Sequence, residues 1–119
     1  MALDHALPGQ AIAVAPLGAR LRETPTHTLL KTHATELIRV VLQAGDAWPT
    51  HSIRGEMTLL CLEGSAELSI DGALCTLSAG ELVLLPAGVP HALHARQDTS
   101  LLLTLQTPAG TLGSASSTM

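Results

Sequence analysis

Between Ser65 and Asp71 polar and apolar residues alternate one for one, with Ala66, Leu68 and Ile70 set against Ser65, Glu67, Ser69 and Asp71. A period of two is the pattern of a strand with one buried and one wet face. Asp71-Gly72 follows, and a two-residue hairpin turn needs positive φ at both centres, which Gly adopts without steric cost. Ala73 to Leu77 therefore predicts the returning antiparallel strand. The same reading extends both ways along the chain. Thr28 to Thr32 and Glu36 to Gln43 flank the polar His33-Ala34-Thr35, and Trp48 to Ile53 follows the turn Ala44-Gly45-Asp46. Met57 to Leu62, after Arg54-Gly55-Glu56, is a nearly unbroken apolar run that predicts burial on both faces. Glu81 to Leu85, His91 to Gln97 and Ser100 to Thr107 complete the set, the stiff loop Pro86-Ala87-Gly88-Val89-Pro90 delivering His91. No segment keeps helical spacing over three turns. Short strands punctuated by turns about every 10 residues predict an all-β sandwich or barrel.

The ends break the pattern. Residues 1–25 are low in charge and interrupted by Pro8, Gly9, Pro16, Gly18 and Pro25, an N-terminal arm with at most one short strand, Ala11 to Leu17. The barrel is expected over residues 26–107. Residues 108–119 are small and polar without periodicity and are expected to be a disordered tail whose truncation after Ala109 leaves the melting point unchanged.

Composition narrows the partners. A chain of 119 residues, 46% hydrophobic and 13% charged, has the means for one buried core and none for a second. Its formal net charge of -4 and scattered basic residues argue against nucleic acid, and Trp48, the one aromatic residue, leaves no stacking platform. No apolar run approaches the ~18 to 20 residues that span a bilayer, so no membrane partner is expected. Met1 to Pro8 carries Asp4 and His5 where a secretory signal would be basic, which points to a cytoplasmic protein. Cys61 and Cys75, set in apolar segments without a C-x-x-C pair, read as reduced core thiols.

One spacing is more specific. Gly80, five residues, Pro86, one residue, Gly88, two residues and His91 resembles the second cupin motif, with Ala95 where that family has Asn. Gly45, His51 and Gly64 match the first motif, with Ile53 at its second His and Met57 at its Glu. The chain resembles a small, single-domain, RmlC-like cupin of bacterial type over roughly Leu29 to Thr107. The resemblance implies the double-stranded β-helix, a jelly-roll barrel.

In that family two His and a Glu of the first motif and the His of the second converge on a metal. The resemblance therefore nominates His51 and His91 as metal ligands. Continuing the inward register lines the pocket around them with Ile53, Met57, Leu59, Leu93 and Ala95. Catalytic zinc normally has three protein ligands, and non-haem iron takes two His and a carboxylate. Glu56 is one residue from the Glu position and faces away unless a bulge at Gly55 turns it inward. Met57 fills the core, His94 points outward, and His5, His27 and His33 carry no role. Glu63, Glu67, Asp71 and Glu81 fall at turns or on polar faces, where solvation explains them. Phosphate loop, nucleophile elbow and activated Cys are absent from the sequence, so no catalytic residue and no organic cofactor are nominated.

The function these residues favour is a module that binds a small organic ligand in a mostly apolar pocket anchored by His51 and His91. The alternative is a metal-dependent cupin enzyme of the dioxygenase or isomerase type, one divalent transition metal being held by the two His and completed by Glu56 or water. Leu60, Leu62, Val83 and Leu102 are expected on the outward face, where they predict a homodimer formed by sheet packing.

Overall fold

The alternation becomes nine antiparallel strands in the computed structural model, which describes residues 5–106. They are β1 (His27–Lys31), β2 (Thr35–Leu42), β3 (Ala47–His51), β4 (Met57–Glu63), β5 (Ser65–Ile70), β6 (Ala73–Ser78), β7 (Leu82–Leu85), β8 (His91–Ala95) and β9 (Thr99–Gln106). One sheet has the order β1-β2-β9-β4-β7 and the other β3-β8-β5-β6. The two orders run in step, because short connections link β2 to β3, β8 to β9, β4 to β5 and β6 to β7. β2 thus faces β3, β9 faces β8, β4 faces β5 and β7 faces β6. This is the jelly-roll barrel, and its remaining loops, residues 32–34, 52–56, 71–72 and 86–90, gather at the opposite end, the mouth. The tail expected over residues 108–119 lies outside the described residues.

Between the sheets lies one core, in which Leu59, Leu68, Leu85, Leu101 and Val40 are fully buried. The predicted hairpin is present, with Asp71 at φ 50° and Gly72 at φ 86°. Gly64 makes the step from β4 to β5 in one residue at φ 81°, pressed so closely on Asp98 O and Thr99 that a Cβ would collide with them.

Two expectations about outward faces are corrected. Val83 pairs with Leu59 and packs on the core, so Leu82 and Leu84 are the outward residues of β7, 64% and 54% exposed. Four apolar residues in a row carry no alternation from which to take a register. Leu60 and Leu102 do pair outward, whereas a bulge between Cys61 and Glu63 takes Leu62 out of the ladder.

Residues 11–17 form no strand; a 3-10 turn, Gly18–Glu23, follows them and buries Leu21. The arm lies across the outer face of the larger sheet. Ala6 N–H donates to Leu29 O at 2.8 Å, and the Arg39 guanidinium donates to Ala15 O at 3.0 Å and Ala13 O at 3.3 Å. Glu63 is not merely solvated, as the sequence suggested. Its carboxylate accepts the N–H groups of Leu17 at 2.8 Å and Gly18 at 3.0 Å and the hydroxyl of Ser100. Burial would raise its pKa, but Ser100, the two N–H groups and the Arg39 charge together hold it below the usual carboxylate range. Within the turn, Arg22 pairs with Asp98 at 2.9 Å.

Candidate functional site

Two of the side chains at the mouth are histidines. His51 ends β3 and His91 opens β8, and the two are partners across the ladder, with Ile70 of β5 on the other side of His91. Their ring centroids stand 4.4 Å apart with the planes tilted by 59°. The loops fix this end: Gly88 N–H donates to Ile53 O at 2.7 Å, and Asp71 N–H to Pro90 O at 2.8 Å.

The two rings are anchored alike. His91 Nδ1 lies 3.0 Å from Val89 O and His51 Nδ1 3.1 Å from Pro49 O. A carbonyl only accepts, so each neutral ring carries its proton on Nδ1 and leaves Nε2 as a bare lone pair. His51 is exposed, whereas His91 is 4% exposed. Its Nε2 is buried with no hydrogen-bond partner among the described residues.

Beneath this row the barrel is hydrocarbon. Met57, Leu59, Leu93 and Ala95, expected to line a pocket, are buried members of the core cluster, and Ile53 packs half-buried against it. They form a packed floor, with Ile53 and Ile70 flanking the histidines.

Glu56 is exposed and lines a recess of about 230 Å³ with Thr58, Leu84, Thr104 and Gln106. Thr58 pairs with Leu84 and Thr104 on the face opposite Met57, so Glu56 sits on the outer side of the sheet and does not join the histidines. Strand period explains this, since Met57 takes the inward position. His94 is exposed and lines a shallow outer recess of about 170 Å³ with Glu67 and Trp48. Cys61 is buried and free, its thiol pushed up by burial and so held in the inert protonated form. Cys75 is also free.

The strand register places at the mouth a carboxylate that the sequence reading passed over. β2 points Glu36, Ile38 and Val40 inward, since Glu36 pairs with Leu105 and Ile38 with Leu103, both on the core side. Glu36 is half-buried, and its Oε2 accepts the Thr28 hydroxyl at 2.8 Å. The signal was there in the alternation of Glu36 with Ile38 and Val40, which continues the apolar face into an acid.

Among the described residues no group of three or more His, Cys, Asp or Glu side chains stands close enough to hold a metal ion. His51 and His91 supply two acceptors, and a catalytic centre needs a third protein ligand. The described donor set does not fit one.

The chain was compared with known proteins. No curated protein matches it. Among solved structures it is similar to a protein of unknown function from Streptococcus pyogenes (24% identity, 92% of this chain and 100% of that one, TM-score 0.72). It is also similar to an RmlC-like cupin from Desulfovibrio desulfuricans (24% identity, 82% and 96%, TM-score 0.69). A salicylate 1,2-dioxygenase from Pseudaminobacter salicylatoxidans shares 21% identity over 65% of this chain and 22% of that enzyme, at TM-score 0.60. At these identities the likeness is one of fold, and it spans proteins of unknown function and an enzyme. The model of the cupin domain family matches residues 38–105, from the fourth position of β2 nearly to the end of β9, and the chain belongs to that family.

Proposed function

We propose that the protein binds a small organic ligand at the barrel mouth, with His51 and His91 as its polar anchors. The observation that carries this reading is the buried, unpartnered Nε2 of His91. A buried acceptor left unpaired costs about 1 to 3 kcal/mol, and few such groups occur in folded proteins. A ligand that donates a hydrogen there recovers that cost, and Ile53 and Ile70 offer apolar surface beside it. The test is a thermal-shift screen of small polar-headed hydrocarbons against wild type and His91→Ala. Stabilisation of wild type that disappears in the variant supports the site. Hits that stabilise both proteins equally, or no hits at all, overturn it.

A second reading, a metal-dependent cupin enzyme, draws on the anchoring of both Nδ1 atoms to backbone carbonyls, which is how metal-bound imidazoles are oriented. A wild-type melting point lowered by EDTA, together with metal found by elemental analysis, supports it; an unmoved melting point and metal-free protein sink it. For assembly, the outward Leu60, Leu82, Leu84 and Leu102 favour a two-fold dimer through the larger sheet. A light-scattering mass of 12.3 kDa, the monomer, at micromolar concentration refutes that.

A further inference from the structure

Resting on the reading that the mouth takes a small organic ligand, we infer that this ligand carries a primary ammonium headgroup, held by His91 Nε2, His51 Nε2 and the Glu36 carboxylate. The chemistry of the mouth is one-sided. Both imidazoles give their Nδ1 protons to backbone carbonyls, so in the neutral form each turns only a lone pair to a ligand. Glu36 reaches the same end of the barrel from β2, the strand that faces β3 and His51, and its inward register is fixed by Leu105. Thr28 occupies Oε2 and leaves Oε1 to accept. Three acceptors and one negative charge match a headgroup with three N–H donors and one positive charge.

An alcohol satisfies one acceptor and leaves the carboxylate uncompensated. A carboxylate ligand meets lone pairs and like charge. A metal ion makes a different demand. It takes nitrogen and oxygen ligands at about 2.0 to 2.2 Å, which draws them into one tight cluster, and the described residues hold none. An ammonium takes its acceptors at about 2.7 to 2.9 Å and so fits a wider ring. Of the other charged groups near this end, Lys31 stands opposite Glu36 in the β1 register, and Arg54, Glu56 and Asp71 lie in the mouth loops. All four are exposed, where water and salt screen them.

The test is calorimetric titration of the full chain at pH 7.5 in phosphate buffer with EDTA, using 1-pentylamine, 1-pentanol and valerate. The amine is expected to bind at least tenfold more tightly than the alcohol, and valerate not measurably. Glu36→Gln, whose amide oxygen still accepts from Thr28, is expected to remove that tenfold preference and leave pentanol unchanged. His91→Ala is expected to weaken both. Equal binding of amine and alcohol to wild type, a comparison that needs no variant, overturns the ammonium assignment while the mouth stands as a site. Amine binding that persists in His91→Ala, or no binding by any of the three, overturns the assignment and the mouth together.

Discussion

The two ends of the barrel both bury polar side chains and treat them in opposite ways. Toward the closed end, opposite the mouth, where the arm crosses the larger sheet, Arg39 and Ser100 are buried and Glu63 is half-buried, and each has partners: carbonyls of the arm, N–H groups of the arm, or one another. At the mouth His91 is as deeply buried as Arg39, yet one of its two nitrogens has none. Burial alone therefore does not mark a functional group. What separates a structural polar residue from one awaiting a ligand is whether the chain itself completes its hydrogen bonds.

Substitutions make the contrast measurable, and the largest effect belongs to the closed end. Gly64→Ala places a Cβ into Asp98 O and Thr99 at a positive φ, and is expected to cost about 3 to 5 kcal/mol, read from urea denaturation. A loss under 1 kcal/mol would show that the β4 to β5 step relaxes and that this end is less tightly built than described. Glu63→Ala comes next. It strips Leu17 and Gly18 N–H and Ser100 of their acceptor and leaves Arg39 without its counter-charge, for about 2 to 3 kcal/mol. It should also open the arm to limited proteolysis; an arm that stays protected would contradict the latch.

Acid sharpens the same point through Glu63. A carboxylate whose folded pKa lies below its unfolded one stabilises the fold above the unfolded value, near pH 4.3, and this contribution is lost as pH falls through the folded value. Below about pH 4 wild type should therefore lose stability more steeply than Glu63→Gln. Asp98, held low by the Ala44 N–H and by Arg22, titrates in the same direction in both proteins and cancels from the comparison. Parallel melting curves against pH would remove Glu63 from the account. The smallest effect is expected at the mouth. His91→Ala without ligand should change stability by no more than about 1 kcal/mol, because the unpaired nitrogen is removed along with the packing of the ring. A loss of 3 kcal/mol would mean that His91 is a structural residue after all.

Much of this was legible in the sequence. Alternation, with turn residues at Gly45, Gly72 and Gly80, located the nine strands to within a residue or two, and the spacing of Gly80, Pro86, Gly88 and His91 pointed to the family. The register of β7 was not legible, because Leu82 to Leu85 are all apolar and only pairing with β4 decides which face each takes. Glu36 was missed because an acid at a strand end is ordinarily solvated, and the sequence does not say that β2 lies over β3. Glu63 was misjudged, and Arg39 passed over, for a related reason. Their partners are backbone groups of the arm, and a backbone group looks the same in every residue.

That last feature bears on how the chain can change over time. Arg39 and Glu63 hold the arm by the carbonyls of Ala13 and Ala15 and the N–H groups of Leu17 and Gly18, not by its side chains there. Most replacements at residues 13 and 15 therefore keep the grip, whereas proline at 17 or 18, which has no N–H to give, releases it. Over residues 13–17 the arm is held as a length of peptide rather than as a spelled word, so that stretch is free to drift in sequence while its position on the sheet stays fixed, whereas Leu21 and Arg22 are held by their side chains.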